Sequence, residues 1–247
     1  MENKITSIKK IARIGGVLYL IIIILGILGE IFVRGKLIVS GDVTATANNI
    51  MASPLLWRLG IAGDLFMHVC DVGFIVVFYI ILKPVNKNLV LLAVLFTLIQ
   101  SAVLVAYKIK LCEALFLLGD ADYLKAFEPQ QLHALAYLAI KSDGYGFGIG
   151  LIFFGFACLI NGYLIIKSGY IPKIFGIMLQ IAGLCYLTNS FALLLAPGFA
   201  DKIFPAILFP SFIGELSLCI WLLVKGVNLQ KWEEKTGSGA LAEHRPN

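Results

Sequence analysis

Residues 55–82 read LLWRLGIAGDLFMHVCDVGFIVVFYIIL, and the reading of this run decides the fold. A helix of this length is long enough to cross the ~30 Å hydrocarbon core of a bilayer at 1.5 Å per residue. Yet the run carries Asp64, His68 and Asp71 near its middle. On a helical wheel of ~100° per residue the three fall within ~60° of one another, among apolar neighbours. A charged side chain at mid-bilayer costs at least ~2.5–3.5 kcal/mol, so such a stripe is expected to face other helices or a wet cavity, not lipid.

Working outward, five more apolar runs are expected to span: 12–33, 89 to at least 106, 144–166, 173–196 and 204–224. The composition agrees, with 60% hydrophobic and 14% charged residues in 247. Soluble domains carry about 25% charged residues. In lipid every backbone polar group must be satisfied within its own segment, so the spans are expected to be helices. The sequence therefore predicts an all-α polytopic membrane protein of six transmembrane helices, forming one domain over 1–229.

The net charge of +5 does not point to nucleic acid, because Lys and Arg sit at the ends of apolar runs. Lipid headgroups and topology account for them. Four of them (Lys4, Lys9, Lys10, Arg13) precede or open the first run, and 12 of the 20 fall on the side of the termini. The expectation is a bacterial inner, or plasma, membrane protein with both termini cytoplasmic.

Two connections are short, KPVNKN (83–88) and KSGYIPK (167–173), and each contains a proline that ends or starts a helix. They predict antiparallel hairpins of spans 2–3 and 4–5. On the other side, 34–54 reads as a polar loop with Ser40, Asp42 and Thr44 as candidate N-caps of a short helix. Residues 119–141 read as an amphipathic outer segment between helices 3 and 4, with Pro129 in a first helical turn. The tail 230–247 (QKWEEKTGSGALAEHRPN) is polar and is expected to be disordered in the cytoplasm.

The candidate ligand- or proton-binding residues are Asp64, His68 and Asp71, with Gln100 on span 3 and Glu215 on span 6 as partners. Glu30, Arg58 and Asp143 are candidates for an ion pair at the outer mouth. The competing reading makes these side chains interhelical ties, worth about 0.6 kcal/mol each on average. Alternating Gly144, Gly146, Gly148 and Gly150 give two GxxxG pairs, which favour close helix packing. No Lys-Ser/Thr follows them, so a phosphate-cradling loop is not expected.

Much catalytic chemistry lacks its residues. Three histidines (His68, His133, His244) are too dispersed for bis-histidine haem, and neither HExxH nor GxSxG occurs. The five cysteines (Cys70, Cys112, Cys158, Cys185, Cys219) are scattered, with no CxxC. No cofactor or metal is expected, and an enzyme is the less favoured reading. A small-ligand or proton-coupled carrier fits mid-membrane carboxylates best. A scaffold or sensor subunit is the alternative, and a membrane-embedded enzyme using the His/Asp cluster comes last. The partners implied are membrane lipid and a small ligand or proton.

Several phrases also carry a likeness. LIVSGDVTATANNIMASPLLWRLGI, IILKPVNKNLVLLAVLFTLIQ and GYLIIKSGYIPKIFGIMLQ occur in one order. With IARIGGVLYLIIIILGILGE before them, the chain resembles, over about residues 8–226, the bacterial membrane family known as domain of unknown function 4386. The loop match rests on Gly41, Asp42, Thr46, Ala47, Asn49 and Ile50. The resemblance implies a multi-pass membrane protein and brings no activity or catalytic residues. After Leu95-Phe96 this chain has Thr97 where the family pattern has Arg.

Overall fold

The computed structural model describes residues 2–243, with side chains from 8 to 237. Residues 244–247 of the tail, and His244 with them, lie outside the described residues. The chain is all-α; among the described residues there is no strand. Its helices are α1 (Glu2–Ile27), α2 (Val43–Ala52), α3 (Pro54–Leu82), α4 (Lys87–Leu117), α5 (Pro129–Ser168), α6 (Lys173–Leu195), α7 (Pro197–Ile203), α8 (Phe209–Val224) and α9 (Leu229–Glu243). A π-helical turn, Leu28–Arg34, continues α1 and leads into a last α-turn, Gly35–Leu37.

Among the described residues six segments are long and apolar enough to cross a membrane: Ile8–Leu37, Pro54–Leu82, Lys87–Leu117, Pro129–Ser168, Lys173–Leu195 and Ala206–Val224. Large apolar side chains stand exposed along them, Val69 at 66% and Phe209 at 65%. In water such faces would drive aggregation; against lipid tails they are at no disadvantage. This is a polytopic membrane protein.

The helices differ from the sequence reading in three places. α4 runs on to Leu117, and α5 begins at Pro129 and continues unbroken through the fourth span. The expected amphipathic segment is therefore divided: 119–128 connects, with a 3-10 turn at Asp122–Ala126, while 129–141 is the first part of a spanning helix. A helix once started gains one hydrogen bond per added residue, so nothing stops it at the polar stretch. The tail, expected to be disordered, is helical over Leu229–Glu243. Asn228 starts it, its side chain accepting from Lys231 N–H at 3.1 Å.

The chain groups into two compact units, and the boundaries cut across α1, α3, α4 and α5. One unit comprises 21–69 and 101–150. Its core gathers Val33, Leu37, Ile50, Trp57, Leu111 and Ile140. Trp57 is 1% exposed and its indole N–H donates to the Leu111 carbonyl at 3.0 Å. Of the candidate caps, Asp42 takes the role, accepting from Ala45 N–H at 2.8 Å. Gly41 has φ +80°, a conformation that disfavours other residues, and turns the chain into α2.

The second unit comprises the chain up to Leu20, 70–100, and the chain from Leu151 on. Here helices meet at backbone distance. A Cβ on Gly16 would lie 2.7 Å from the Leu223 backbone nitrogen, so only glycine lets α1 lie on α8. Arg13 follows one turn earlier and donates to the Val224 carbonyl at 3.5 Å, near the end of α8 where carbonyls lack helical partners. Tyr170, in the turn after α5, is 1% exposed. Its hydroxyl donates to the Ile81 carbonyl at 2.6 Å, near the C-terminus of α3. Burial pushes this phenol above its ordinary range. Tyr170→Phe leaves that carbonyl buried and unpaired, and is expected to cost about 1–3 kcal/mol in a detergent-solubilised unfolding titration.

Candidate functional site

The first unit contains a chain of charges of alternating sign. Asp64 on α3 is 2% exposed and accepts from Arg34 Nη1 at 2.7 Å, with Nη2 3.4 Å from its other oxygen. Lys108 Nζ on α4 lies 3.3 Å from Asp64 Oδ2. The same ammonium donates to Asp143 Oδ2 on α5 at 3.1 Å. At the other end Arg34 Nε donates to Glu30 Oε2 at 2.7 Å. The order is thus Glu30, Arg34, Asp64, Lys108, Asp143, drawn from the first four spans.

The π-turn builds this end of the network. Its bonds run from i to i+5, as in Gly35 N–H to the Glu30 carbonyl, so one turn holds an extra residue. Both Glu30 and Arg34 lie within it. Gly29 supplies the space: a Cβ there would lie 2.7 Å from Asp64 Oδ1 and 2.9 Å from Arg34 Nη2. Any larger residue would push the guanidinium off its carboxylate.

Lys108 is 7% exposed and Asp143 6%. With Asp64 and Arg34 they make two bases and two acids, so the buried part is electrically balanced. Glu30, with 66% of its side chain exposed, adds a negative charge at the rim. Asp143 Oδ1 lies 3.0 Å from Lys108 Nζ but accepts no hydrogen bond among the described residues. Beside the network a crevice lined by Val33, Arg34, Trp57, Gly60, Ile61 and Leu111 is too narrow to seat a water molecule.

Of the stripe read from span 2, Asp64 and His68 are buried, and Asp71 is half-buried. Gln100 is buried as well, at 6% exposure. Arg58 is exposed and does not enter the network. The cation that binds Glu30 is Arg34, and the one that binds Asp143 is Lys108. Arg58 precedes Asp64 by six residues on α3, which turns it well away from the Asp64 face. The signal for Arg34 was legible: it stands four residues after Glu30, the spacing of a helical ion pair. Reading residue 34 as the first of a loop hid it.

Glu215 lies in the second unit. It accepts a hydrogen bond from the Tyr186 hydroxyl on α6, with Tyr19 on α1 close by. These phenols were not anticipated from the sequence. Asp71 acts on Glu215 by repulsion. Among the described residues no group of three or more His, Cys, Asp or Glu is placed to hold a metal ion.

Comparison with known proteins bears on the whole bundle. The family model for Domain of unknown function (DUF4386) matches residues 14–226. The chain belongs to this family. A relative from Archaeoglobus fulgidus, described as an uncharacterized protein, is 30% identical over 171 residues, covering 69% of this chain and 86% of its own. No solved structure matches the chain. The matched segment takes in all five residues of the charge network, so the network lies within the family domain and not in an appended tail.

Proposed function

We propose that this protein is a proton-coupled carrier of a small solute, with the alternating network as its coupling element. The observation that supports the reading is one connected chain of acids and bases from four spans, with Asp64, Lys108 and Asp143 buried and Arg34 half-buried. Neutral Ser or Asn would tie the same helices at far lower desolvation cost. What ionisable groups add is exchange. A proton taken up by Asp143, whose Oδ1 accepts no hydrogen bond among the described residues, weakens its hold on Lys108. Lys108 then leans wholly on Asp64, and Asp64 in turn shares its charge between Lys108 and Arg34. One protonation is thereby felt on four helices, as a carrier that rocks its helices requires.

A proton-flux assay tests this. The purified protein is reconstituted into vesicles containing a pH-sensitive dye, and an outside pH step is applied. Facilitated proton movement is expected with the natural chain and is expected to fall at least about tenfold in Asp64→Asn and Asp143→Asn. Flux equal to that of empty vesicles, or unchanged in both variants, would sink the carrier reading.

The narrowness of the crevice beside Arg34 favours a second reading, in which the network is a clasp in a non-transporting scaffold or sensor subunit. That reading expects no flux from the natural chain and a stability loss alone in the variants. The distribution of Lys and Arg supports both termini on the cytoplasmic side of a plasma membrane. Membrane lipid is the one partner common to both readings.

A further inference from the structure

Glu215 poses a problem that the charge network does not. Asp64 has two cations within 3.3 Å. Among the described residues no cation acts on Glu215; the groups that face it are the hydroxyls of Tyr186 and Tyr19 and the carboxylate of Asp71. Cys158 on α5 is the remaining titratable neighbour, within the electrostatic reach of Glu215. Four helices thus surround this carboxyl with phenols, a thiol and a like charge.

Its position is fixed by close packing. Gly214, the residue before it, would carry a Cβ 3.2 Å from the Met178 carbonyl, so α8 lies against the backbone of α6. One turn earlier Ser211, fully buried, donates to the Ala182 carbonyl of α6 at 3.3 Å. On the other flank Gly16 brings α1 onto α8, and Cys219 Sγ reaches the Gly16 carbonyl at 3.4 Å. Both phenols are held by neighbouring rings: Tyr19 packs on Phe74 with centroids 4.4 Å apart, and Tyr186 on Phe154 at 5.4 Å. Those contacts position the two rings, and Glu215 itself is half-buried on a spanning helix.

We infer that Glu215, bound by Tyr186 and lying beside Tyr19, is a second proton-binding site, distinct from the charge network. A bare carboxylate at this depth costs at least ~2.5–3.5 kcal/mol, and no cation offsets it. A bound proton removes the charge, while the Tyr186 phenol keeps an acceptor in the carboxyl oxygens.

A lipid-soluble carbodiimide reads this directly, because it reacts with a carboxylic acid and not with a carboxylate. The acid proton passes to one carbodiimide nitrogen and the carboxylate oxygen bonds to the central carbon. An oxygen-to-nitrogen acyl shift then leaves a stable N-acylurea. The full chain in vesicles is treated with dicyclohexylcarbodiimide at several pH values between about 5 and 9, and labelled peptides are mapped by mass. Label is expected on the peptide containing Glu215, falling as the medium becomes alkaline. It is expected to be absent from that peptide in Glu215→Gln and present in Glu215→Asp.

Tyr186→Phe removes one hydrogen bond to the carboxyl and is expected to move the midpoint of the profile by about one pH unit. A residue that only packs would leave the midpoint where it was. Failure to label Glu215 at any of these pH values, or labelling indifferent to pH, overturns the inference. So does a Tyr186→Phe midpoint equal to that of the natural chain. Because the readout is a modified peptide and not flux, it stands or falls apart from the carrier reading.

Discussion

Asp64→Ala is expected to destabilise the protein by about 3–5 kcal/mol, the characteristic cost of breaking a buried ion pair from one side. The carboxylate is 2% exposed and is bonded to both Arg34 and Lys108. Its removal leaves Arg34 with only the rim carboxylate of Glu30, and Lys108 with Asp143 alone. Equilibrium unfolding in mixed micelles, followed by tryptophan fluorescence, measures the loss. Trp57 sits in the same unit and reports its opening. Removing both partners of a pair should cost much less, since no orphaned charge remains: Lys108→Met with Asp143→Leu is expected to fall within about 1.5 kcal/mol of the natural chain. A single-variant loss below about 1 kcal/mol would mean that lipid headgroups or water already reach the site.

Gly176→Leu is expected to be comparably damaging, at about 3 kcal/mol or more, for a reason without electrostatics. A Cβ at Gly176 would lie 2.5 Å from the Gly162 carbonyl oxygen and 2.7 Å from Ile166 Cγ1. The contact is mutual, since a Cβ on Gly162 would lie 2.6 Å from the Gly176 carbonyl. Seven residues along each helix the arrangement repeats: a Cβ on Gly183 would come 2.7 Å from the Gly155 carbonyl, and one on Gly155 3.0 Å from that of Gly183. Backbone cannot move aside as a side chain can, so α5 and α6 would have to separate along their length. The same unfolding assay checks this, with Gly144→Ala as control. Nothing lies within 4 Å of a Cβ there, and the change is expected to be neutral or stabilising by up to about 1 kcal/mol.

These glycines show how partial the sequence signal was. The GxxxG spacing drew attention to 144–150. There Gly144 is open, while Gly146 faces the Tyr107 ring, which an added Cβ would overlap. The seven-residue pairing that joins α5 to α6 has no local motif. It exists only because two helices run antiparallel through a turn of fixed length, Gly169 to Pro172. The same holds for the charges. Asp64 was identifiable, because a carboxylate in an apolar run announces its own cost. Its partners stand 30 positions before and 44 after it, and no periodicity links them.

The sequence by itself determined the solvent and the spans. Six apolar runs, their length and the demand of every buried peptide group for a partner leave helices in lipid as the outcome. It also marked the inner face of the second span, since one acid at mid-depth costs more than any packing preference returns. Only the tertiary structure decided which cation meets which anion, that a π-turn carries Glu30 and Arg34, and that Glu215 is met by the Tyr186 phenol and, among the described residues, by no cation. Hydrophobic patterning is a property of one helix at a time. Pairing depends on the rotation and height of several helices, and a single widened turn or one absent Cβ is enough to change both.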